Sequence, residues 1–145
     1  MKAIHPSYYR GLAQNDAKKQ KKYIRIGQQQ YKREVYKTRP VPKSYRHRRS
    51  KHLVNFERIY GISIKNAKKI SDSLGVSASK QKRILSKGRG AYFSSGSRPG
   101  QTPSSWAYAR LASALLGRGA CKVDQHILAP LRCKDMLAMS AKSFR

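Results

Sequence analysis

Six carboxylates and four histidines are all that this 145-residue chain offers for acid–base chemistry. Proton transfer needs such groups to converge within hydrogen-bond reach of one reacting centre, and here they are scattered along the chain. The nearest pair is Asp124 and His126, read as a helix cap beside a surface histidine. Cys121, His126 and Cys133 give the spacing C-x4-H-x6-C, three ligands without a C-x2-C knuckle, which is a poor match to a zinc site. No metal or other cofactor is expected. Met1 to Arg10 has no apolar stretch of signal-peptide length, so free thiols packed as small hydrophobes are the expectation for Cys121 and Cys133, and a disulfide closing the short segment between them is the alternative. No Gly-Lys-Ser/Thr stands at the spacing of a phosphate-binding loop. The chain therefore reads as non-enzymatic.

What it has in excess is positive charge: 33 Lys and Arg against 6 Asp and Glu, a formal net charge of +27. Self-repulsion on that scale opposes a compact solitary state, so an anionic partner is implied. Nucleic acid is the first candidate, an acidic protein surface the second and a membrane surface the third. No run approaches the roughly 20 apolar residues that span a bilayer, and membrane insertion is not expected. The charge is uneven. Residues 1–50 carry 15 basic and 2 acidic groups, residues 51–90 carry 10 and 2, and residues 91–145 carry 8 and 2. Lys18, Lys19, Lys21 and Lys22, then Arg46, Arg48 and Arg49, alternate with six tyrosines and little aliphatic residue. Such a segment has too little apolar surface to fold alone. It is expected to be an extended basic arm, its rings and cations meeting phosphates or carboxylates of a partner. Within it a short helix over residues 13–22 is the one regular element expected.

The elements that must position these cations follow Ser50. Leu53, Phe56 and Tyr60 share one helical face, with Ser50 as cap and Gly61 as stop. A second helix spans residues 66–74 and ends at Gly75. A third, capped by Ser77 or Ser79, carries Ile84 and Leu85 and ends at Gly88. The second and third resemble a helix-turn-helix: Leu74-Gly75-Val76-Ser77 stands at the turn, and Ser79, Lys80, Lys82 and Arg83 would face a phosphate backbone or groove. Gln81 departs from the pattern, since it occupies a position that wants a buried aliphatic residue. The stretch from Lys87 to Pro103 holds four glycines, two prolines and no acid, a composition that excludes a helix interior. It is expected to be an ordered loop pinned by Tyr92 and Phe93. Arg89 and Arg98 flank it as anion-binding candidates at a helix N-terminus. Thr102 caps the next helix and Pro103 opens it; that helix carries Trp106 and stops at Gly117. Asp124 caps a short helix ended by Pro130, and a tail from Leu131 carries Met136, Leu137, Met139 and Phe144. The expected fold is mainly α: a small bundle of short helices over residues 51–130, a basic extended arm over 1–50, a tail over 131–145 and the ordered Gly/Ser/Pro loop. Phe56, Tyr60, Tyr92, Phe93 and Trp106 are its packing anchors.

The run from Lys87 to Pro103, followed by Ser105-Trp106, Ala109-Arg110-Leu111-Ala112-Ser113-Ala114 and Val123-Asp124-Gln125-His126-Ile127-Leu128, resembles an uncharacterised domain found in large nucleocytoplasmic DNA viruses, including algal viruses. Phe56-Glu57-Arg58-Ile59-Tyr60-Gly61 fits it as well, and the likeness covers about residues 52–130. It carries no activity and no catalytic residue. It implies a setting: a protein made in the host cell interior and carried in the virion. In that setting the expected role is a minor capsid-associated structural protein, its basic arm linking neighbouring capsid proteins and touching packaged DNA. The other reading is a nucleic-acid-binding protein, either helix-turn-helix-like or of ribosomal type.

Overall fold

Helix ends fall where the chain supplies a left-handed turn. Gly61 and Gly75 close their helices at φ of +65° and +73°, angles that glycine adopts without steric cost. The structure is a computed structural model that describes residues 3–143. Its regular structure is all helical among those residues: a 3-10 turn, Pro6–Tyr8, and seven α-helices. These are α1 (Gln14–Lys32), α2 (Lys51–Tyr60), α3 (Ala67–Leu74), α4 (Ala78–Ser94), α5 (Pro103–Leu115), α6 (Gly119–Leu128) and α7 (Cys133–Ser143). The chain forms two compact units, one joining residues up to Arg48 with Arg89–Trp106, the other joining Arg49–Gly88 with the residues from Ala107 onward. The passage from one to the other lies inside α4 and α5. This division differs from the expected succession of arm, body and tail.

In the first unit the expected arm contains a long helix, α1, followed by irregular chain over residues 33–50. The α1 helix runs to Lys32, ten residues beyond the expected Lys22. Its inward stripe is Gln20, Ile24, Gly27 and Gln28, spaced i, i+4, i+7 and i+8, the spacing of one helix face. Two of the four are glutamines, so the stripe is nearly silent in hydropathy, and this is why the segment reads as unfolded. Gln28 Nε2 donates to the Ser95 carbonyl at 3.3 Å. Ile24 is fully buried, and a Cβ on Gly96 would lie 3.0 Å from it. Ser44 secures the start of α1, accepting from the Ala13 N–H and donating its own N–H to Asp16. Trp106 is half-buried and meets Tyr8 edge-on at 5.8 Å.

Arg39 is the pin of this unit. Its guanidinium lies 3.7 Å from the Tyr92 ring centroid. It donates to the Tyr92 carbonyl at 2.9 Å and to Ser97 Oγ at 2.6 Å, while its backbone N–H donates to Tyr92 Oη. Tyr92 itself is fully buried. Burial lowers the Arg39 pKa, a change partly opposed by Tyr92 and Tyr8. A planar five-donor fork stacked on an aromatic face is geometry that lysine cannot supply.

The second unit holds the larger apolar core, built from Phe56, Ile70, Leu74, Val76, Ile84, Leu111, Leu115, Ile127, Leu128 and Met136. Here α2 has the expected limits, although the Ser50 side chain makes no cap hydrogen bond. Asn66 caps α3 through the Lys69 N–H. Phe56 is fully buried; Tyr60 is half-buried and packs on it at 5.0 Å. Helix α7 packs on α2 and α6 and buries Met136; Phe144, expected to dock with it, lies outside the described residues.

Two expectations are overturned in these helices. The α4 helix does not stop at Gly88 but continues to Ser94, so the irregular loop shrinks to residues 95–102. Two glycines inside a helix cost about 1 kcal/mol each relative to alanine. Gly88 has a packing reason to be there: a Cβ would lie 2.7 Å from Ala107 Cα on α5, so only glycine permits that approach. The cysteines are not free thiols. Cys121 and Cys133 form a disulfide that ties α6 to α7. The thirteen or so residues it closes correspond to about 3 kcal/mol of lost unfolded-state entropy. The compartment reasoning failed because α6 and α7 bring the two Cα atoms to 5.8 Å, within disulfide range. Thr102 does cap α5, exchanging hydrogen bonds with Ser105, and Pro103 opens the helix.

Candidate nucleic-acid interface

Helices α3 and α4 meet through a three-residue connection, Gly75-Val76-Ser77. Val76 is fully buried as the plug of the turn, and Ser77 Oγ caps α4 by accepting the Lys80 N–H at 3.3 Å. Gln81, the residue that breaks the helix-turn-helix pattern, is 2% exposed. Its amide nitrogen donates to the carbonyls of Ala67, at 3.0 Å, and Val76, at 2.9 Å. One side chain thus joins the start of α3 to the turn, doing by hydrogen bonds what an aliphatic residue would do by packing. Burying an amide so paired avoids its desolvation penalty.

The outward side of this pair is cationic. Lys68, Lys69, Lys82 and Arg83 are exposed. Lys80, expected beside them, is turned aside: its ammonium donates to the Ala129 carbonyl just beyond α6. Ser79, Lys82, Arg83, Ser86 and Lys87 line one side of an open depression of about 640 Å³, and His126 of α6 lies on the other side.

Beside it lies the residue that sequence reading misassigned most. Asp124 does not cap a helix; it sits within α6, fully buried. Arg110 of α5 grips it bidentately, Nε to Oδ2 at 2.8 Å and Nη2 to Oδ1 at 2.7 Å, and the Lys87 ammonium stands 3.1 Å from Oδ1. Burial pushes its carboxyl upward, but the hydrogen bonds and charges of Arg110 and Lys87 outweigh that and hold it below the ordinary aspartate range. A buried carboxylate needs such partners. The signal was in the spacing: Asp124 lies at i+3 from Cys121 and at i−3 and i−4 from Ile127 and Leu128, all buried. It therefore shares the core face of α6. His126 stays exposed and does not converge with it.

The remaining sequence candidates fall elsewhere. Lys18, Lys19, Lys21 and Lys22 are exposed along α1 in the first unit, Lys21 over the Tyr9 ring at 4.1 Å. Arg46 and Arg48 are exposed in the same unit, and Arg49 pairs with Glu57 at 2.6 Å in the second. Arg89 and Arg98 are exposed in the first unit. The free donors imagined at the α5 N-terminus are partly taken by Thr102, and Ser97 of the loop is engaged by Arg39. Phe93 is buried against Tyr36 and Tyr31. Sequence reasoning missed Arg39, the hydrogen bonds by which Gln81 fits its buried position, and the Arg110–Asp124–Lys87 cluster.

An all-helical fold with exposed cations along the α3–α4 pair defines a basic helical protein. The chain belongs to the family of unknown function DUF5824, whose model matches residues 6–127. The match begins well before Lys51, so it includes the helix α1 segment outside the resemblance read from sequence. No curated protein matches the chain. No solved structure matches it.

Proposed function

We propose that this is a non-enzymatic nucleic-acid-binding protein that presents the α3–α4 pair to a phosphate backbone. The observation that carries the reading is the imbalance of charge at that pair. The chain has 33 basic residues against 6 acidic ones, and ion pairs form at Arg49, Lys87 and Arg110. Neither Lys82 nor Arg83 is among them. The resemblance to a domain of large DNA viruses supplies the setting: a minor structural component carried in the virion, with packaged DNA as the counter-charge and capsid proteins as neighbours. Tethering of capsid proteins by a long arm has less support, because α1 occupies residues 14–32 and folds with residues 89–106.

The test is a fluorescence-anisotropy titration of the full chain with duplex DNA at several salt concentrations. Neutralising Z phosphates gives log K a slope of about −0.9Z against log salt, so a steep slope with binding retained near physiological salt is expected. A flat slope, or no binding at low salt, overturns the reading.

A further inference from the structure

We infer that the depression between α4 and α6 is a discrete site for one phosphate group of the nucleic-acid backbone, making this helix pair a clamp on the backbone rather than a reader of base edges. The inference rests on the nucleic-acid reading above and names the chemistry of its surface.

Three features point to a phosphate. The first is the donor set. Ser79, Lys82, Arg83, Ser86 and Lys87 recur at i, i+3, i+4, i+7 and i+8, one stripe of a single helix. They supply two hydroxyls, two ammonium groups and a guanidinium, with His126 opposite. Guanidinium and ammonium together are the usual recognition groups for phosphate oxygens.

The second is the charge balance. Among the described residues no carboxylate lines the depression, and Asp124, which meets Lys87 of its lining, is fully buried. Two cations, Arg110 and Lys87, share it, so the cluster keeps a surplus positive charge. Lys87 remains 40% exposed at its side chain while tied at 3.1 Å to that carboxylate. The buried aspartate thereby holds an ammonium in place at the edge of the depression, where a free lysine would lose rotamer freedom on binding.

The third is what sits beside the stripe. A helix that reads bases lies along the major groove with its N-terminal residues against base edges. Here Lys80, in the first turn of α4, is fastened to the Ala129 carbonyl just beyond α6, and His126 and Ile127, in the last turn of α6, share the depression. A contact that positions without reading sequence is the arrangement left to Lys82 and Arg83.

Two measurements on the full chain test this. In the first, inorganic phosphate is titrated while the ring signals of the four histidines are followed by NMR. A saturable shift of His126, with His5 and His47 unmoved, is expected, and its loss in the Lys82→Ala, Arg83→Ala double variant. A response of His126 that is linear or survives in the variant overturns the site. Both substituted residues are exposed, and a melt compares their folding with the parent. In the second, the same double variant is titrated with two duplexes of unrelated sequence. Each phosphate neutralised contributes about 0.9 to the salt slope, so loss of this one-phosphate site is expected to lower the slope by about 1, equally for both duplexes. A fall for one sequence only overturns the clamp in favour of base reading. An unchanged slope overturns the site while leaving nucleic-acid binding intact. Absence of duplex binding by the parent, with phosphate still saturating His126, removes the nucleic-acid reading and keeps the site as one for free phosphate.

Discussion

Replacing Asp124 by asparagine should be among the most damaging single-atom changes available in this protein. The side chain is fully buried, and both of its oxygens are engaged, by Arg110 at 2.7 and 2.8 Å and by Lys87 at 3.1 Å. Asparagine keeps the shape but removes the charge and turns one acceptor into a donor that faces a cation. The Arg110 side chain is only 17% exposed, so its guanidinium cannot recover its hydration. Breaking a buried pair by removing one partner costs about 3–5 kcal/mol. For a chain of this length that is a fall in Tm of roughly 10–15 °C. Thermal and urea melts of Asp124→Asn beside Asp72→Asn, an exposed carboxylate on α3, separate the buried cluster from a general loss of negative charge; the second change should stay within about 0.5 kcal/mol. The pH dependence has a definite sign. The folded state holds the Asp124 carboxyl below its ordinary value, so its contribution is complete above about pH 4 and fades as pH drops through the lower folded value. The gap between parent and variant should narrow as pH falls below about 4. A loss under about 1 kcal/mol, constant with pH, would mean that solvent screens the cluster and that the account of it is wrong.

Gly88→Ala should destabilise by about 1–3 kcal/mol despite the better helix propensity of alanine, because the new methyl meets the α5 backbone; a melt showing a gain would refute the close approach. Gln81→Leu restores the aliphatic residue of the helix-turn-helix pattern yet should lose about 1–2 kcal/mol, since the Val76 carbonyl is left buried without its donor. Arg39→Lys keeps the charge but loses the fork over Tyr92, and about 2–4 kcal/mol of loss is expected in the first unit, visible as faster hydrogen exchange over residues 89–106. Reducing the Cys121–Cys133 bond should lower stability by about 3 kcal/mol, read as a lower urea midpoint with dithiothreitol present.

Helices with aliphatic faces and glycine stops were legible: α2, α3 and the start of α5 sit where spacing and caps place them. The failures share a physical cause, burial by polar or featureless residues. The stripe of α1 is half glutamine, so no apolar period announces that residues 14–32 fold. Arg39 reads as one more cation in a basic run, and only the distant Tyr92 makes it a core residue. Gly88 and Gly90 read as loop because the partner that demands the first, Ala107, is nineteen residues away. In the candidate site, Lys82 and Arg83 were visible as exposed cations on the second helix of a pair. The part played by Gln81, the fastening of Lys80 and the buried Asp124 depend on contacts between helices that no local window holds.

Lysine-directed cross-linking of the full chain bound to duplex DNA, with the attached residues identified by mass spectrometry, tests most directly where the anion lands. Adducts concentrated at Lys82 and Lys87, with Lys68 and Lys69 next, are the expected result. Adducts confined to Lys18, Lys19, Lys21 and Lys22, with the α4 lysines untouched, would contradict it.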